Sequence, residues 1–107
     1  MDKVLSLMGL AKRAGKVTLG ETAVKESIRY GKTFLVVIAD DASENTKKSI
    51  INSCKYYDVK YYIRGTKESV GHALGKSFCV AASINDEGFA ESIERYLQPN
   101  TNGGEVL

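Results

Sequence analysis

The stretch that decides the fold is VTLGETAVKESIRYGKTFLVVIA, residues Val17 to Ala39. It joins a short β-forming run to a helical pattern through Gly20 and ends in a continuous apolar, largely β-branched run. Val24 and Ile28 lie one turn apart in the helical part, so this segment predicts an amphipathic helix. The final run predicts a strand that is buried on both faces, as in sheets that are covered by helices on either side.

The alternation of strands and helices continues along the rest of the chain. Further strands are predicted at Val59–Ile63 and Phe78–Ile84 because both runs are rich in β-forming residues. The alternation predicts a single-domain α/β protein, a three-layer α/β/α sandwich around a small mixed sheet. This domain should occupy residues 1–98, and we expect a disordered tail at 99–107. Polar residues that precede helical patterns predict helix N-caps at Asp2, Ser43, Thr66 and Asp86.

Composition and charge agree with one compact domain and favour a polyanionic partner. The chain has 107 residues, of which 43% are hydrophobic and 26% are charged. Residues 1–32 carry seven basic and three acidic side chains, whereas residues 85–107 carry one basic and five acidic side chains. Clustered positive charge is expected of a nucleic-acid-binding surface, although ordinary solvated helix faces would give the same pattern.

Other function classes find little support in the sequence. No apolar run approaches the ~20 residues that span a bilayer, and the N-terminus lacks a secretory signal, so we expect a cytoplasmic protein without a membrane partner. Cys54, Cys79 and His72 are too few and too scattered to indicate a metal site or a catalytic cysteine, and we expect two buried structural thiols. Residues 71–77 end like a phosphate-binding loop, but the first glycine is one position too close. We therefore expect no catalytic residue, no metal ion and no cofactor.

Three predicted loops lead from strands into helices and contain the candidate binding residues. If the strands that feed them are parallel, the loops meet at one edge of the sheet, where α/β proteins usually bind ligands. Unpaired N–H groups at the start of the helix after Gly20 would favour phosphate oxygens there. Lys25, Arg29 and Lys32 follow at helical spacing, which suits a nucleic-acid backbone and equally suits an exposed helix face. The three loops are Leu19–Thr22, Asp40–Ser43 and Arg64–Lys67.

Two segments of the chain resemble a known family. LGETAVKESIRYGKTFLVVIADDAS (Leu19–Ser43) and YYIRGTKESVGHALGK (Tyr61–Lys76) are similar to the ribosomal L7Ae family of kink-turn RNA-binding proteins, and to its small bacterial YlxQ-like branch. Thr66–Gly75 is similar to the family pattern Ser-Lys-x-x-Leu-Gly-x-Ala-x-Gly. The resemblance covers Met1 to Leu97. It implies an α/β/α sandwich and a non-catalytic protein that binds kink-turn or similarly bulged RNA, with ribosomal RNA as one candidate.

The resemblance also implies how the RNA is contacted. In that family the helix that begins at the position of Gly20 enters the RNA major groove and meets sheared G·A pairs. The loop at the position of Ile63 to Thr66 packs on extruded bases. The free amides of the Gly20 helix would then face a bent RNA backbone. The loops, the basic residues and the resemblance together give these candidate RNA-binding residues: Arg13, Lys16, Gly20, Glu21, Thr22, Lys25, Asp40, Ile63, Arg64, Gly65 and Thr66.

The chain departs from the family within this helix. The family core is Gly-x-Asn-Glu-x-x-Lys, whereas the chain has Thr22, Ala23 and Glu26 at the Asn, Glu and Lys positions. One polar contact to a base edge is worth about 1–3 kcal/mol, so these departures predict weaker or altered RNA selectivity. One alternative is a protein-interaction module of the same fold that docks through its acidic last helix. Another is a fragment that resembles the accessory domain of ribose methyltransferases, although the chain lacks room for a cofactor domain.

Overall fold

The computed structural model describes residues 2–97, in which helices and strands alternate as the sequence predicts. The predicted tail at 99–107 lies outside the described residues. Across residues 2–97, no helix combines the length and the apolar character that a membrane span needs. The elements are α1 (Lys3–Arg13), β1 (Val17–Leu19), α2 (Glu21–Arg29), β2 (Leu35–Ile38), α3 (Glu44–Tyr56), β3 (Tyr61–Ile63), α4 (Lys67–Ala73), β4 (Ala81–Ile84) and α5 (Glu87–Leu97).

The strands form one mixed sheet in the order β1-β4-β2-β3. β4 lies between β1 and β2 and runs antiparallel to both, whereas β3 is parallel to β2. β1, β2 and β3 therefore run in the same direction, and the loops that follow them reach the same edge of the sheet. The strands that lead into the three loops are therefore parallel, as a shared loop edge requires.

Helices cover both faces of the sheet, which confirms the predicted three-layer sandwich. One hydrophobic core packs α1, α4 and α5 against one face, and a second core packs α2 and α3 against the other. Along β2, Leu35 and Val37 belong to the first core, whereas Val36 and Ile38 belong to the second. β2 is apolar without interruption because each of its side chains is buried on one face or the other.

β2, β3 and β4 are shorter than the sequence predicts, most clearly at the start of β4, whereas β1 has the predicted bounds. β4 begins at Ala81 rather than Phe78, and the Phe78 side chain is 65% exposed in the preceding loop. The periodicity could not separate the loop from the strand because Phe78, Cys79 and Val80 are as apolar as the residues that follow them. β2 and β3 likewise begin at Leu35 and Tyr61, rather than at Phe34 and Val59.

Four helices begin with a side-chain cap, and the capping residues are those predicted from the sequence. Asp2 accepts hydrogen bonds from the backbone N–H groups of Val4 (2.7 Å) and Leu5 (3.4 Å). These bonds satisfy amides that have no partner inside a helix. α2, which follows Gly20, begins without a side-chain cap. The other caps are Ser43 on α3, Thr66 on α4 and Asp86 on α5.

Both cysteines are buried and free, in line with their predicted structural role. Burial raises the pKa of the Cys54 thiol to about 11. Burial also raises the pKa of the Cys79 thiol, which donates a hydrogen bond to the Ala81 carbonyl (3.1 Å). Buried thiols that stay protonated are poor nucleophiles and poor metal ligands.

Asp2 also links α1 to the loop after β3. Its Oδ2 accepts hydrogen bonds from Nε (3.2 Å) and Nη2 (3.0 Å) of Arg64. Burial alone would raise the pKa of Asp2, but the hydrogen bonds from Val4 N–H and Arg64 outweigh it, so the pKa lies below its ordinary value. Both side chains are partly exposed, and such a pair contributes up to about 1 kcal/mol of stability.

Substitutions at Asp2 distinguish the contribution of the helix cap to stability from that of the ion pair with Arg64. Asp2→Asn removes the pair but keeps a capping oxygen, and should lower the free energy of unfolding at neutral pH by up to about 1 kcal/mol. Asp2→Ala also loses the cap and should be less stable by about 1 kcal/mol more. Urea unfolding of the three proteins at neutral pH measures both differences.

The same proteins test the pKa of Asp2. Because that pKa is lowered by folding, the advantage of the natural chain over Asp2→Asn is fully present above the unfolded-state pKa of about 4. It should disappear as the pH falls through the folded-state pKa. An advantage of unchanged size at about pH 2 would contradict the ion pair as its source.

Candidate nucleic-acid interface

The loops after β1, β2 and β3 meet at one edge of the sheet, and backbone hydrogen bonds tie them to neighbouring segments. The Gly20 N–H donates to the Ala81 carbonyl (3.0 Å), which anchors the first loop to β4. The Asp40 N–H donates to the Gly65 carbonyl (2.8 Å), which joins the second loop to the third. These bonds hold the loops as one surface. We call it the loop edge and define it by residues 20–22, 40–43 and 63–67.

α2 presents free amides at the loop edge. Gly20 has no side chain to cap the helix, and its φ of 92° with ψ of 157° is a conformation that essentially only glycine adopts without strain. Within residues 2–97, the backbone amides of Glu21, Thr22 and Ala23 donate to no acceptor. Three N–H groups and the positive end of the helix dipole therefore point away from the fold, an arrangement that favours an anion or another acceptor.

Contacts with α3 hold two side chains of α2 that the sequence predicts to bind RNA. Glu21 Oε1 accepts a hydrogen bond from Thr46 Oγ1 (3.0 Å), and Lys25 Nζ donates to Ser49 Oγ (2.6 Å). Side chains that are already ordered lose less conformational entropy when a ligand binds. Glu21 can thus present a carboxylate oxygen, and Lys25 a positive charge, in fixed positions beside the free amides.

The loop after β3 is braced by structural contacts. Arg64 pairs with Asp2, and Thr66 caps α4 by accepting from the Ser69 N–H (3.0 Å). Ile63, the last residue of β3, is 39% exposed. Ile63 therefore offers apolar surface for a ligand, whereas Arg64 has two of its N–H donors already directed at Asp2.

Charge at the loop edge is mixed rather than uniformly positive. Asp40 and Asp41 are exposed in the loop after β2. The Asp41 carboxylate accepts a hydrogen bond from the Lys67 N–H (2.7 Å), and the Asp40 carbonyl accepts one from Lys47 Nζ (2.8 Å). Negative side chains repel phosphates but accept hydrogen bonds from the amino groups of bases. The loop edge thus suits base contacts at least as well as backbone contacts.

Arg13 and Lys16 lie at the opposite edge of the sheet. Lys16 precedes β1, and its carbonyl accepts a hydrogen bond from the N–H of Asn85, which follows β4 (2.8 Å). Because β1 and β4 are antiparallel, this bond lies at the end of the sheet away from Gly20. Of the eleven residues predicted from the sequence, the structure brings nine to the loop edge or the adjoining turn of α2, and places Arg13 and Lys16 elsewhere.

The loop between α4 and β4 also reaches the loop edge, although no sequence pattern predicted a binding role for this loop. Phe78 shares a groove of about 230 Å³ with Gly20, and its exposed ring makes the groove mostly apolar. An apolar groove with an exposed ring suits the flat face of a base. The signal in the sequence was an aromatic residue three positions after Gly75, but the apolar run that follows led to its prediction as part of a strand. We call this surface the Phe78 groove; its residues are Leu19, Gly20, Lys76, Phe78, Cys79 and Val80.

Gly71 sets the path of this loop. A Cβ atom at Gly71 would lie 2.5 Å from Phe78 Cα and 2.7 Å from Phe78 N, so no side chain fits between α4 and the loop. The next residue, Cys79, donates its N–H to the carbonyl of Lys67 in the first turn of α4 (2.9 Å). The close crossing therefore positions Phe78 beside Gly20.

Comparison with known proteins identifies the family. The model of the ribosomal protein L7Ae/L30e/S12e/Gadd45 family matches residues 2–94. The chain belongs to this family. Membership confirms the resemblance seen in the sequence and the prediction that the protein is not an enzyme.

Individual members of the L7Ae family are similar over most of their length. The RNA-binding protein YlxQ of Bacillus subtilis is 39% identical over 87 residues, which cover 81% of this chain and 87% of that protein. YlxQ of Enterococcus faecium is 35% identical over 97 residues, which cover 91% of this chain and 93% of that protein. Among solved structures, a protein of unknown function from Bacillus halodurans is similar with a TM-score of 0.88 at 32% identity, over 92% of this chain and 99% of that one.

A Gly71→Ala substitution tests the close crossing. Alanine favours helix over glycine by about 1 kcal/mol, yet its Cβ has to displace the backbone at Phe78. We expect a net loss of about 1–3 kcal/mol in the free energy of unfolding, together with shifted NMR amide signals at residues 76–80 and Gly20. Gly88→Ala in α5, where the nearest heavy atom is the side-chain Asp86 Oδ2 at 3.3 Å, is the matched control. A Gly71→Ala protein as stable as the control would contradict the crossing.

Proposed function

We propose that this protein binds structured RNA at the loop edge and recognises a kink-turn or similarly bulged element. The observation that carries the proposal is the juxtaposition of the free α2 amides with the Phe78 groove. The free amides suit a phosphate or an acceptor atom of a base, and the Phe78 groove suits the flat face of an unpaired base. The relatives named as RNA-binding proteins support the same conclusion.

A bulged RNA fits this surface better than a regular helix does. The major groove of A-form RNA is too deep and narrow for side chains, whereas a bulge widens it and exposes unstacked bases. One such base would stack on Phe78, a contact worth about 1–3 kcal/mol. The bent strand beside it would place a phosphate or a base acceptor at the amides of residues 21–23.

The charges of the loop edge assign roles to its side chains. Ala23 offers no polar group where the family has a glutamate, so base-edge contacts fall to Glu21 and Thr22. The Glu21 carboxylate, held by Thr46, would accept hydrogen bonds from base amino and imino groups. Lys25 would bind phosphate on the neighbouring strand.

Ribosomal RNA in the cytoplasm is the target that we propose first. The family model that matches the chain carries the name of ribosomal proteins. Ribosomal RNA is also rich in the internal loops and bulges that proteins read with sequence specificity.

A protein-interaction module is the second candidate function, and a second cleft favours it. This cleft, of about 280 Å³, lies between α5 and the start of β2. Its wall combines the half-exposed ring of Phe34 with acidic side chains, which suits a basic protein segment. A complex that forms with a basic protein partner and survives RNase treatment would favour this function. The acidic residues that line the cleft are Asp58, Glu87, Glu91 and Glu94.

Titration of labelled RNA tests RNA recognition directly. We expect a kink-turn RNA to bind more tightly than a plain duplex of the same length, because only the kink-turn offers an unstacked base. The difference should persist when the salt concentration is raised, since stacking and base-edge contacts are less sensitive to salt than phosphate contacts are. Equal affinity for both RNAs would contradict specific recognition.

A Phe78→Ala substitution tests the stacking contact. We expect the affinity for kink-turn RNA to fall by about tenfold to a hundredfold, with duplex affinity unchanged. Phe34→Ala is the matched control, since Phe34 is also an exposed phenylalanine but precedes β2 at the opposite edge. An Ile63→Ala protein measured beside them shows whether the β3 loop contributes to the same contact. Identical affinities for Phe78→Ala and Phe34→Ala would exclude stacking on Phe78.

A further inference from the structure

Basic side chains surround a cleft between the C-terminal ends of α1 and α4. The cleft has a volume of about 390 Å³. Two of its basic residues come from the last turn of α1, one from α4 and one from the loop that follows α4. Among residues 2–97, no acidic side chain lines it. We call this surface the α1–α4 cleft; its basic residues are Lys12, Arg13, His72 and Lys76.

The cations of the α1–α4 cleft are free to bind an anion. Within residues 2–97, Lys12, Arg13 and Lys76 form no ion pair and donate no side-chain hydrogen bond. Lys60 and Arg64, in contrast, are engaged by Glu94 and Asp2. An anion that enters the cleft therefore meets positive charge without first breaking an internal salt bridge.

Helix stability explains only part of this cluster. Basic residues in the last turn of a helix are stabilised by its dipole, which accounts for Lys12 and Arg13 on α1 and for His72 on α4. Lys76 lies beyond the end of α4, in the α4–β4 loop, and adds a further positive charge to the others. The close packing of α1 and α4, where a Cβ at Gly9 would lie 2.9 Å from the Ala73 carbonyl oxygen, brings the two basic groups together.

Lys76 connects the α1–α4 cleft with the proposed RNA surface. It lines the cleft and also lines the Phe78 groove beside Gly20. A nucleic-acid strand that leaves the Phe78 groove past Lys76 therefore enters the cleft directly. The loop edge carries mixed charge. In the cleft, by contrast, the phosphates of that strand would meet only positively charged side chains among the described residues.

We infer that the α1–α4 cleft binds the sugar–phosphate backbone of the RNA strand that continues from a base held at Phe78. This inference rests on the proposed function and extends it to a second contact on a different face of the sandwich. It also gives Arg13 a role away from the loop edge. The cleft reads no sequence, because its cations contact phosphates alone.

A double substitution, Lys12→Gln and Arg13→Gln, tests the inference; Lys76 is left unchanged because it also lines the Phe78 groove. The matched control, Lys48→Gln and Arg95→Gln, removes the same charges from exposed positions on α3 and α5. Both proteins and the natural chain are titrated, over a range of salt, with two kink-turn RNAs. One RNA has long flanking strands, and the other is cut back to the shortest stems that still form the bulge.

For the long RNA, the cleft variant should show a slope of log affinity against log salt that is smaller by about 1 to 2. For the short RNA, its affinity and slope should match those of the control. Equal slopes for the cleft variant and the control on the long RNA would overturn the inference. An equal loss of affinity by the cleft variant for both RNAs would also overturn it, because such a loss would indicate a general effect of charge.

The outcomes also separate this inference from the proposed function. If the natural chain prefers kink-turn RNA but the cleft variant behaves like the control, the cleft is excluded and the proposed function stands. If the natural chain shows no preference for kink-turn over duplex, the proposed function fails. If it binds neither RNA, both are overturned.

Discussion

The position of β4 between β1 and β2 is the constraint on which the rest of the structure depends. β4 pairs with both neighbours, so that Ser83 lies opposite Thr18 on one side and Val36 on the other. Because β4 separates β1 from β2, the strands on either side of it can run in one direction and deliver their loops to one edge. The start of β4 brings a fourth loop to that edge. The proposed RNA contacts need both arrangements, since the free amides follow β1 and Phe78 precedes β4.

The architecture could be predicted because local sequence encodes it. The caps at Asp2 and Thr66 can be predicted from a few neighbouring residues. The unbroken apolar run of β2 predicts a strand that is buried on both faces. The site could be predicted only in part because it depends on contacts between distant residues. Arg64 looks available in the sequence, yet it pairs with Asp2, 62 positions away. The path of Phe78 beside Gly20 follows from its crossing with Gly71, which no periodicity reveals.

Charge is divided between two surfaces with different chemistry. At the loop edge, Arg64 and Lys67 lie among carboxylates, and protein groups already engage Arg64, Glu21 and Asp41. In the α1–α4 cleft, the described part of the chain contributes cations and no acidic side chain to the lining. The clustered positive charge of residues 1–32 therefore does not describe one patch. β1 carries the chain across the sheet and leaves Arg13 and Lys16 on one side of the molecule and Lys25 near the other.

The uncapped start of α2 links ligand binding to the stability of the whole fold. The side chains of Asp2, Ser43 and Thr66 accept from amides in the first turns of their helices, so these amides need no ligand to satisfy them. With Gly20, a bound acceptor group would act as the missing cap, and only while it stays bound. By mass action the folded population would then rise with ligand concentration. The protein would accordingly be most vulnerable to proteolysis when its partner is scarce, and its abundance in the cell would follow that of its partner.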